Sequence, residues 1–165
     1  EGGANLAADN KNLRYIIDGL NNISFLDCSV DVRIFPESQI VNFGQISANS
    51  IATYRPKAAF SVSTIKDVAA DCTEQFDVVT SFYTTDTLHD DTHLEMGNGL
   101  LMRITDQKTQ EDIKFNKYKR FTTYIPGQTG AMVTRDYQAE LSQNRGRLSF
   151  MGLSKKDLIV KINYN

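Results

Sequence analysis

The C-terminal end of the chain places an apolar residue at every second position. These residues are Leu158, Val160, Ile162 and Tyr164, and Tyr164 is the penultimate of 165 residues. Because successive side chains of an extended strand point to opposite faces, a period of two predicts a terminal β-strand with one buried face. Gly152, the fourteenth residue from the end, lies just ahead of this strand. A chain with such a strand has to bury it against other strands.

The same period is present near the start of the chain. Leu13, Tyr15 and Ile17 alternate with other residues, and Gly19 takes the next odd position. The pattern predicts a first strand over residues 13–19. Residues 1–12 are small and polar, which is typical of a flexible leader.

Short alternating runs fill the middle of the chain. The predicted strands cover residues 30–34, 40–46, 60–62, 76–82, 100–104 and 133–141. Turn residues such as Pro36, Gly127 and Gly146 stand between some of them. Residues 65–72 fit strand and helix spacing equally well. This pattern favours an all-β, immunoglobulin-like sandwich, and 165 residues suit one domain.

Composition and charge exclude several classes of function. A net charge of −2 leaves no basic footprint for nucleic acid. No Ser/His/Asp arrangement, glycine-rich phosphate loop or matched carboxylate pair stands out, so we expect neither an enzyme nor a cofactor. The chain begins with neither methionine nor a charged-then-apolar leader, and we expect a mature form from which any signal peptide has been removed.

The two cysteines, Cys28 and Cys72, form an isolated even pair. In a strand-rich chain such a pair predicts one disulfide and an oxidising compartment. A bridge of this span contributes about 4 kcal/mol in the chain-entropy model. Two buried free thiols are the alternative. A metal site needs a second pair of ligands at suitable spacing, and the sequence has none beside these cysteines.

His89 and His93 are four residues apart and have carboxylates between and after them. On a helix this spacing places both imidazoles within reach of one Zn²⁺. Residues 84–95, however, are predicted to form a polar loop between strands, where positions four apart do not share a face. We therefore predict a solvated loop and no metal site.

Three stretches, together with the cysteine spacing, Gly152 and Tyr164, resemble the subunits of chaperone/usher pili. Residues 41–46 (VNFGQI) are similar to a V-x-F-G-x-I strand of that family. Residues 98–106 (NGLLMRITD) resemble its central G-hydrophobic-x-I-x-D stretch, and residues 137–141 (YQAEL) an aromatic-x-A-x-hydrophobic strand. The resemblance covers nearly the whole chain from Leu13 onward.

The resemblance implies an incomplete immunoglobulin-like β-sandwich that lacks its last strand and is completed by a donor strand from a neighbouring subunit. Residues 1–21 would be the N-terminal donor-strand extension and residues 22–165 the pilin domain. The donor strand would present Leu13, Tyr15, Ile17 and Gly19. The acceptor groove and chaperone-binding strand would contain Gly152, Leu158, Val160, Ile162 and Tyr164. Cys28 and Cys72 would form a disulfide.

The function that follows is that of a structural subunit of a bacterial surface fimbria, which polymerises by donor-strand exchange and supports cell adhesion. The implied partners are identical or related subunits, a periplasmic chaperone and an outer-membrane usher. The implied location is extracellular, after transit through the periplasm. Alternatives are a minor adaptor or terminator subunit, or a lectin-like adhesin that contacts a host receptor through residues 84–99 or 118–124. A small metalloenzyme built on His89 and His93 is the third class.

Overall fold

The computed structural model describes residues 11–18, 30–43, 55–66, 74–97, 99–127, 131–144 and 154–164, and for residues 11–18 and 154–155 it describes the backbone. Within these ranges the chain forms eleven β-strands and no helix. None of the described residues therefore belongs to a helix that could cross a membrane. Gly19, Cys28, Cys72 and Gly152 lie outside the described residues.

In chain order the described strands are β1 (Lys11–Asp18), β2 (Val30–Phe35), β3 (Ile40–Asn42), β4 (Lys57–Lys66), β5 (Phe76–Tyr83), β6 (Leu88–Asp90), β7 (His93–Gly97), β8 (Leu100–Asp106), β9 (Lys119–Tyr124), β10 (Met132–Gln143) and β11 (Ser154–Tyr164). The ambiguous stretch that begins at Ile65 is thus a strand as far as Lys66, and residues 67–73 lie outside the described residues.

Two sheets pack face to face. One has five strands in the order β3-β1-β11-β5-β9, and the other has six in the order β2-β4-β10-β8-β7-β6. Among the described strands, β1 and β11 form a parallel pair and the other pairs are antiparallel. The predicted all-β sandwich is confirmed, and in this structure the strand beside β11 is the chain's own β1.

The core forms because the alternating positions of facing strands are apolar. Phe60 and Val62 are buried on β4, with a half-buried residue between them. Three aromatic rings join the sheets: Tyr137 of β10 stacks on Phe60 at 5.3 Å between ring centroids and meets Phe82 of β5 edge-on at 5.1 Å. Aromatic pairs of this kind contribute about 0.5–1.5 kcal/mol each beyond the area that they bury.

The loop predicted for residues 84–95 is wrong, because this segment contains most of a β-hairpin. Strands β6 and β7 pair antiparallel, and Leu94 and Met96 of β7 are fully buried. The turn between them carries the polar residues: the Asp90 carboxylate accepts hydrogen bonds from the Thr92 main-chain N–H and hydroxyl. His93 Nδ1 lies 2.8 Å from the same carboxylate.

The predicted strand pattern also missed β9. Its buried residues Phe121 and Tyr124 are three apart, so the segment lacks a period of two. The cause is an irregularity in the pairing with β5, where Val78 pairs with Thr122 but Val79 pairs with Arg120. A bulge of this kind adds one residue to a strand and shifts the parity of its side chains.

Candidate acceptor groove

The C-terminal strand β11 presents a continuous apolar face to the second sheet. Leu158, Val160 and Ile162 have no exposed surface, and Tyr164 is 7% exposed. The intervening described residues of the strand are half-buried or exposed. Antiparallel pairing with β5 over residues 159–164 fixes this parity. The period of two in the sequence therefore corresponds to a face that contributes to the core.

Tyr164 connects the end of β11 to the other sheet. Its hydroxyl accepts a hydrogen bond from the Val30 main-chain N–H of β2 at 3.3 Å. Its ring meets Phe76 of β5 edge-on, with 5.7 Å between the centroids. Burial raises the pKa of the Tyr164 phenol, and the hydrogen bond with Val30 acts in the opposite direction. The penultimate aromatic residue thus has a defined place in the core.

The other long edge of β11 is paired with β1. The two strands run parallel over residues 11–18 and 154–161, with Tyr15 opposite Leu158 and Ile17 opposite Val160. On its far side β1 pairs antiparallel with β3, where Leu13 is opposite Val41. The N-terminal strand therefore lies between β3 and the C-terminal strand of the same chain.

The pairing of β1 with its neighbours aligns the alternating residues near the start of the chain with alternating residues of β3 and β11. Leu13 pairs with Val41 of β3, and Tyr15 and Ile17 pair with Leu158 and Val160 of β11; these three partners are buried. An even-numbered residue, Ile16, pairs with half-buried Ile159. The parity of Leu13, Tyr15 and Ile17 thus matches the parity of the core on both neighbouring strands.

Two even-numbered pairs along the same register join residues of opposite charge. Arg14 is opposite Asp157, and Asp18 is opposite Lys161. Charges of opposite sign at neighbouring positions attract each other. The charge pattern of the sequence therefore agrees with this register.

Strands β3 and β11 do not pair with each other, and β1 occupies the position between them. A strand at this position satisfies the main-chain N–H and C=O groups of both neighbours. Without it, two unpaired edges would flank buried Val41, Leu158 and Val160. A groove of this kind binds an extended segment by main-chain pairing and selects it by alternate apolar side chains.

Two parts of this site were not predicted as parts of it. Strand β3 was expected as a strand but not as the second wall, and Val30 was not identified as a partner of Tyr164. The apolar residues Val41 and Phe43, both buried, were the available signal for the wall. Gly19 and Gly152, which were assigned to the two strands, lie outside the described residues.

Comparison with solved structures shows the same fold in pilus subunits. The crystal structure of the P pilus rod subunit PapA matches 84% of this chain and 98% of its own, with a TM-score of 0.54 and 12% identity. A chain from a chaperone-usher pilus, in a structure that addresses rod uncoiling, matches 86% of this chain and 88% of its own, with a TM-score of 0.53 and 13% identity. No protein-family model matches the sequence.

Proposed function

We propose that this chain is a structural subunit of a chaperone-usher pilus and that it polymerises by donor-strand exchange. The observation that carries the proposal is the place of β1 between β3 and β11, with Leu13, Tyr15 and Ile17 in register with buried residues of both strands. The same groove accepts the same segment from a neighbouring subunit, because the main-chain pairing is chemically identical. The shared fold with pilus rod subunits supports this assignment.

The energy of such an exchange comes from a small number of side chains. Burial of three apolar residues contributes about 2 kcal/mol for each, before the main-chain hydrogen bonds of the added strand are counted. The strand and the groove are different surfaces, so each contact leaves one free strand and one free groove. A heterologous contact of this kind builds an open filament.

The proposal includes the partners and the location that belong to this mode of assembly. A periplasmic chaperone would occupy the groove before assembly, and an outer-membrane usher would pass the subunit to the cell surface. The fimbria would support adhesion from an extracellular position. Residues 1–21 would be the extension and residues 22–165 the pilin domain, with a Cys28–Cys72 disulfide that a thiol titration of the unfolded protein tests.

The decisive experiment compares two substitutions in β1 of the full chain. Ile17→Asp places a charge opposite buried Val160, whereas Ile16→Asp places the same charge opposite half-buried Ile159. We expect Ile17→Asp to lower the melting temperature and to let the chain capture a labelled peptide of residues 10–22, which restores the melting temperature. Ile16→Asp should lower the melting temperature less and capture less of the peptide.

A second measurement follows polymers of the same proteins. The Ile17→Asp chain has an intact groove and a defective donor strand, so we expect it to accept one neighbour and end the filament. When it is mixed with the unsubstituted chain, the length distribution of the polymers should shorten. If the Ile17→Asp chain binds no peptide and forms polymers of normal length, strand exchange through β1 is wrong.

A further inference from the structure

A cavity of about 370 Å³ lies beside β9, on the opposite side of β5 from the acceptor groove. It is located where residues 107–118 cross from β8 of one sheet to β9 of the other. Phe82, Ile113 and Tyr137 contribute apolar surface to its wall. Small-molecule sites have volumes of about 300–1,000 Å³, so this cavity has room for one or two sugar-sized rings.

The phenol of Tyr137 is a buried polar group that lacks a hydrogen-bond partner among the described residues. The residue is 4% exposed and lines the cavity. The hydroxyl of Tyr124, by comparison, donates to the Thr64 carbonyl at 2.9 Å. Burial raises the pKa of Tyr137, and the negative charge of Asp106 acts in the same direction, so the phenol keeps its proton. A buried O–H that no described group satisfies is available to a ligand.

The charged side chains around the cavity have a positive surplus. Among the described residues, Lys119 is paired with Glu111 at 2.9 Å and Arg135 with Asp106 at 3.1 Å. The exposed residues Lys114, Lys117 and Arg120 also line the cavity, and they form no ion pair with a described residue. Cations of this kind bind a carboxylate or sulfate through charge-assisted hydrogen bonds.

An exposed aromatic ring completes the wall. Tyr118 is 50% exposed and lies between Lys117 and the start of β9 in the sequence. Exposed aromatic rings beside a few convergent polar groups are typical of ligand sites. A ring that carries both hydroxyls and an acid group matches this combination of apolar, cationic and hydroxyl groups.

We propose that this cavity binds an acidic saccharide, with its acid group at Lys117 and Arg120, its ring against Tyr118 and a hydroxyl at the Tyr137 phenol. The site lies across β5 from the acceptor groove, so the inference does not depend on donor-strand exchange. A pilus subunit with such a site would contact acidic glycans along its surface.

An NMR titration of the full chain tests the ligand class. The probes are 3′-sialyllactose and a sulfated heparin disaccharide, with lactose as the neutral counterpart and acetate and sulfate as the free anions. We expect at least one acidic saccharide to shift the resonances of the cavity residues at concentrations where lactose and the free anions do not. Equal binding of lactose, equal binding of a free anion, or no binding of either acidic saccharide would overturn the proposal.

Two substitutions test the residues. Tyr137→Phe removes the hydroxyl and keeps the ring, and Lys117→Gln removes a cation that has no ion pair with a described residue; each should weaken binding by about three- to tenfold. Lys108→Gln is the matched control, since Lys108 is exposed but does not line the cavity. The Tyr137→Phe chain should keep its melting temperature, which separates a ligand contact from a structural role. Unchanged saccharide affinity in both variants would show that the site lies elsewhere.

Discussion

In the five-stranded sheet, the strands on the two sides of the β11–β5 pair differ in their direction and in where they come from in the chain. On one side, β1 pairs in parallel with β11 and comes from the opposite end of the chain. On the other side, β9 pairs antiparallel with β5 and is followed closely in the chain by β10 of the second sheet. Strand β1 has a main-chain ladder on each of its two edges, and β9 has a ladder on one edge.

The contacts of β9 are specific to particular side chains. The Thr123 hydroxyl donates to the Asp77 carboxylate at 2.6 Å, and Arg135 Nε donates to the Phe121 carbonyl at 2.9 Å. The Arg135 guanidinium also lies 5.6 Å from the centroid of the Phe121 ring. These contacts tie β9 to particular side chains of β5 and β10. If strand exchange takes place as proposed, we expect the exchangeable strand at the β1 position and a permanent strand at the β9 position.

The largest effect expected from this comparison is that of deleting residues 1–21. The deletion leaves the buried face of β11 without its neighbour, and we expect a loss of about 6 kcal/mol, from three apolar side chains at about 2 kcal/mol each. Thermal unfolding measures the change. A synthetic peptide of residues 10–22, added in excess, should restore most of the stability. If the shortened chain is as stable as the full one, β1 is not part of the folded unit.

A substitution of Asp106 tests the side of the sheet at β9. It is buried, pairs with Arg135 and accepts hydrogen bonds from the main-chain N–H groups of Lys108 and Thr109. Asp106→Ala should reduce the free energy of unfolding by about 3 kcal/mol, because Arg135 loses its carboxylate. Asp136→Ala, at an exposed position of β10, is the matched control and should have little effect.

A second measurement on the Asp106→Ala chain follows its capture of the labelled peptide of residues 10–22. If the two sides of the sheet are independent, the folded Asp106→Ala chain should exchange β1 for the peptide at the rate of the unsubstituted chain. Faster exchange would show that the two sides are coupled through β5.

A smaller difference in the free energy of unfolding is expected between substitutions of two buried tyrosines. The Tyr124 hydroxyl of β9 donates to the Thr64 carbonyl of β4 and lies 2.8 Å from the Thr64 hydroxyl, so it joins the two sheets. Tyr124→Phe should cost about 1–2 kcal/mol, because a buried hydrogen bond is lost. Tyr137→Phe should cost almost nothing, since its hydroxyl has no partner among the described residues. Chemical denaturation of both variants gives the two free energies, and equal losses would contradict the assignment of partners.

The smallest effect concerns the exposed pair of Lys119 and Glu111. The hydrogen bond from Lys119 and its positive charge lower the pKa of the Glu111 carboxyl. A lowered pKa in the folded state means that the contribution of Glu111 is present above its ordinary value of 4.5 and is lost as the pH falls below it. Lys119→Ala should raise the pKa of Glu111, as seen by NMR titration, and leave the melting temperature unchanged. A clear fall in melting temperature would show that this exposed pair stabilises the part of the sheet around β9.

Local patterns predicted much of this architecture, because a period of two is a property of each strand alone. The buried face of β11 and the presence of a strand at β1 followed directly from the sequence. The β6–β7 hairpin was missed because the polar turn residues between the strands dominated the segment, although Leu94 and Met96 alternate. Strand β9 was missed because its bulge removes the alternation between Phe121 and Tyr124.

The arrangement of the site required long-range information. The resemblance to pilus subunits implied that a neighbour's donor strand lies beside the C-terminal strand, and the alternation of Leu13, Tyr15 and Ile17 is the same whether the groove belongs to this chain or to a neighbour. The parallel direction and the second wall at Val41 depend on pairing between distant segments. Whether the Tyr137 hydroxyl has a partner among the described residues likewise depends on which side chains the surrounding strands bring to it.

The parallel pairing of β1 with β11 also sets an order of events during synthesis. Lys11 is made about 140 residues before its register partner Ser154, an interval of roughly 7 to 30 s at the translation rates of living cells. Until β11 is made, β1 and β5 both lack the strand that lies between them in the finished sheet. The five-stranded sheet is thus completed last, and the growing chain carries exposed strand edges that other polypeptides can pair with until its final residues emerge.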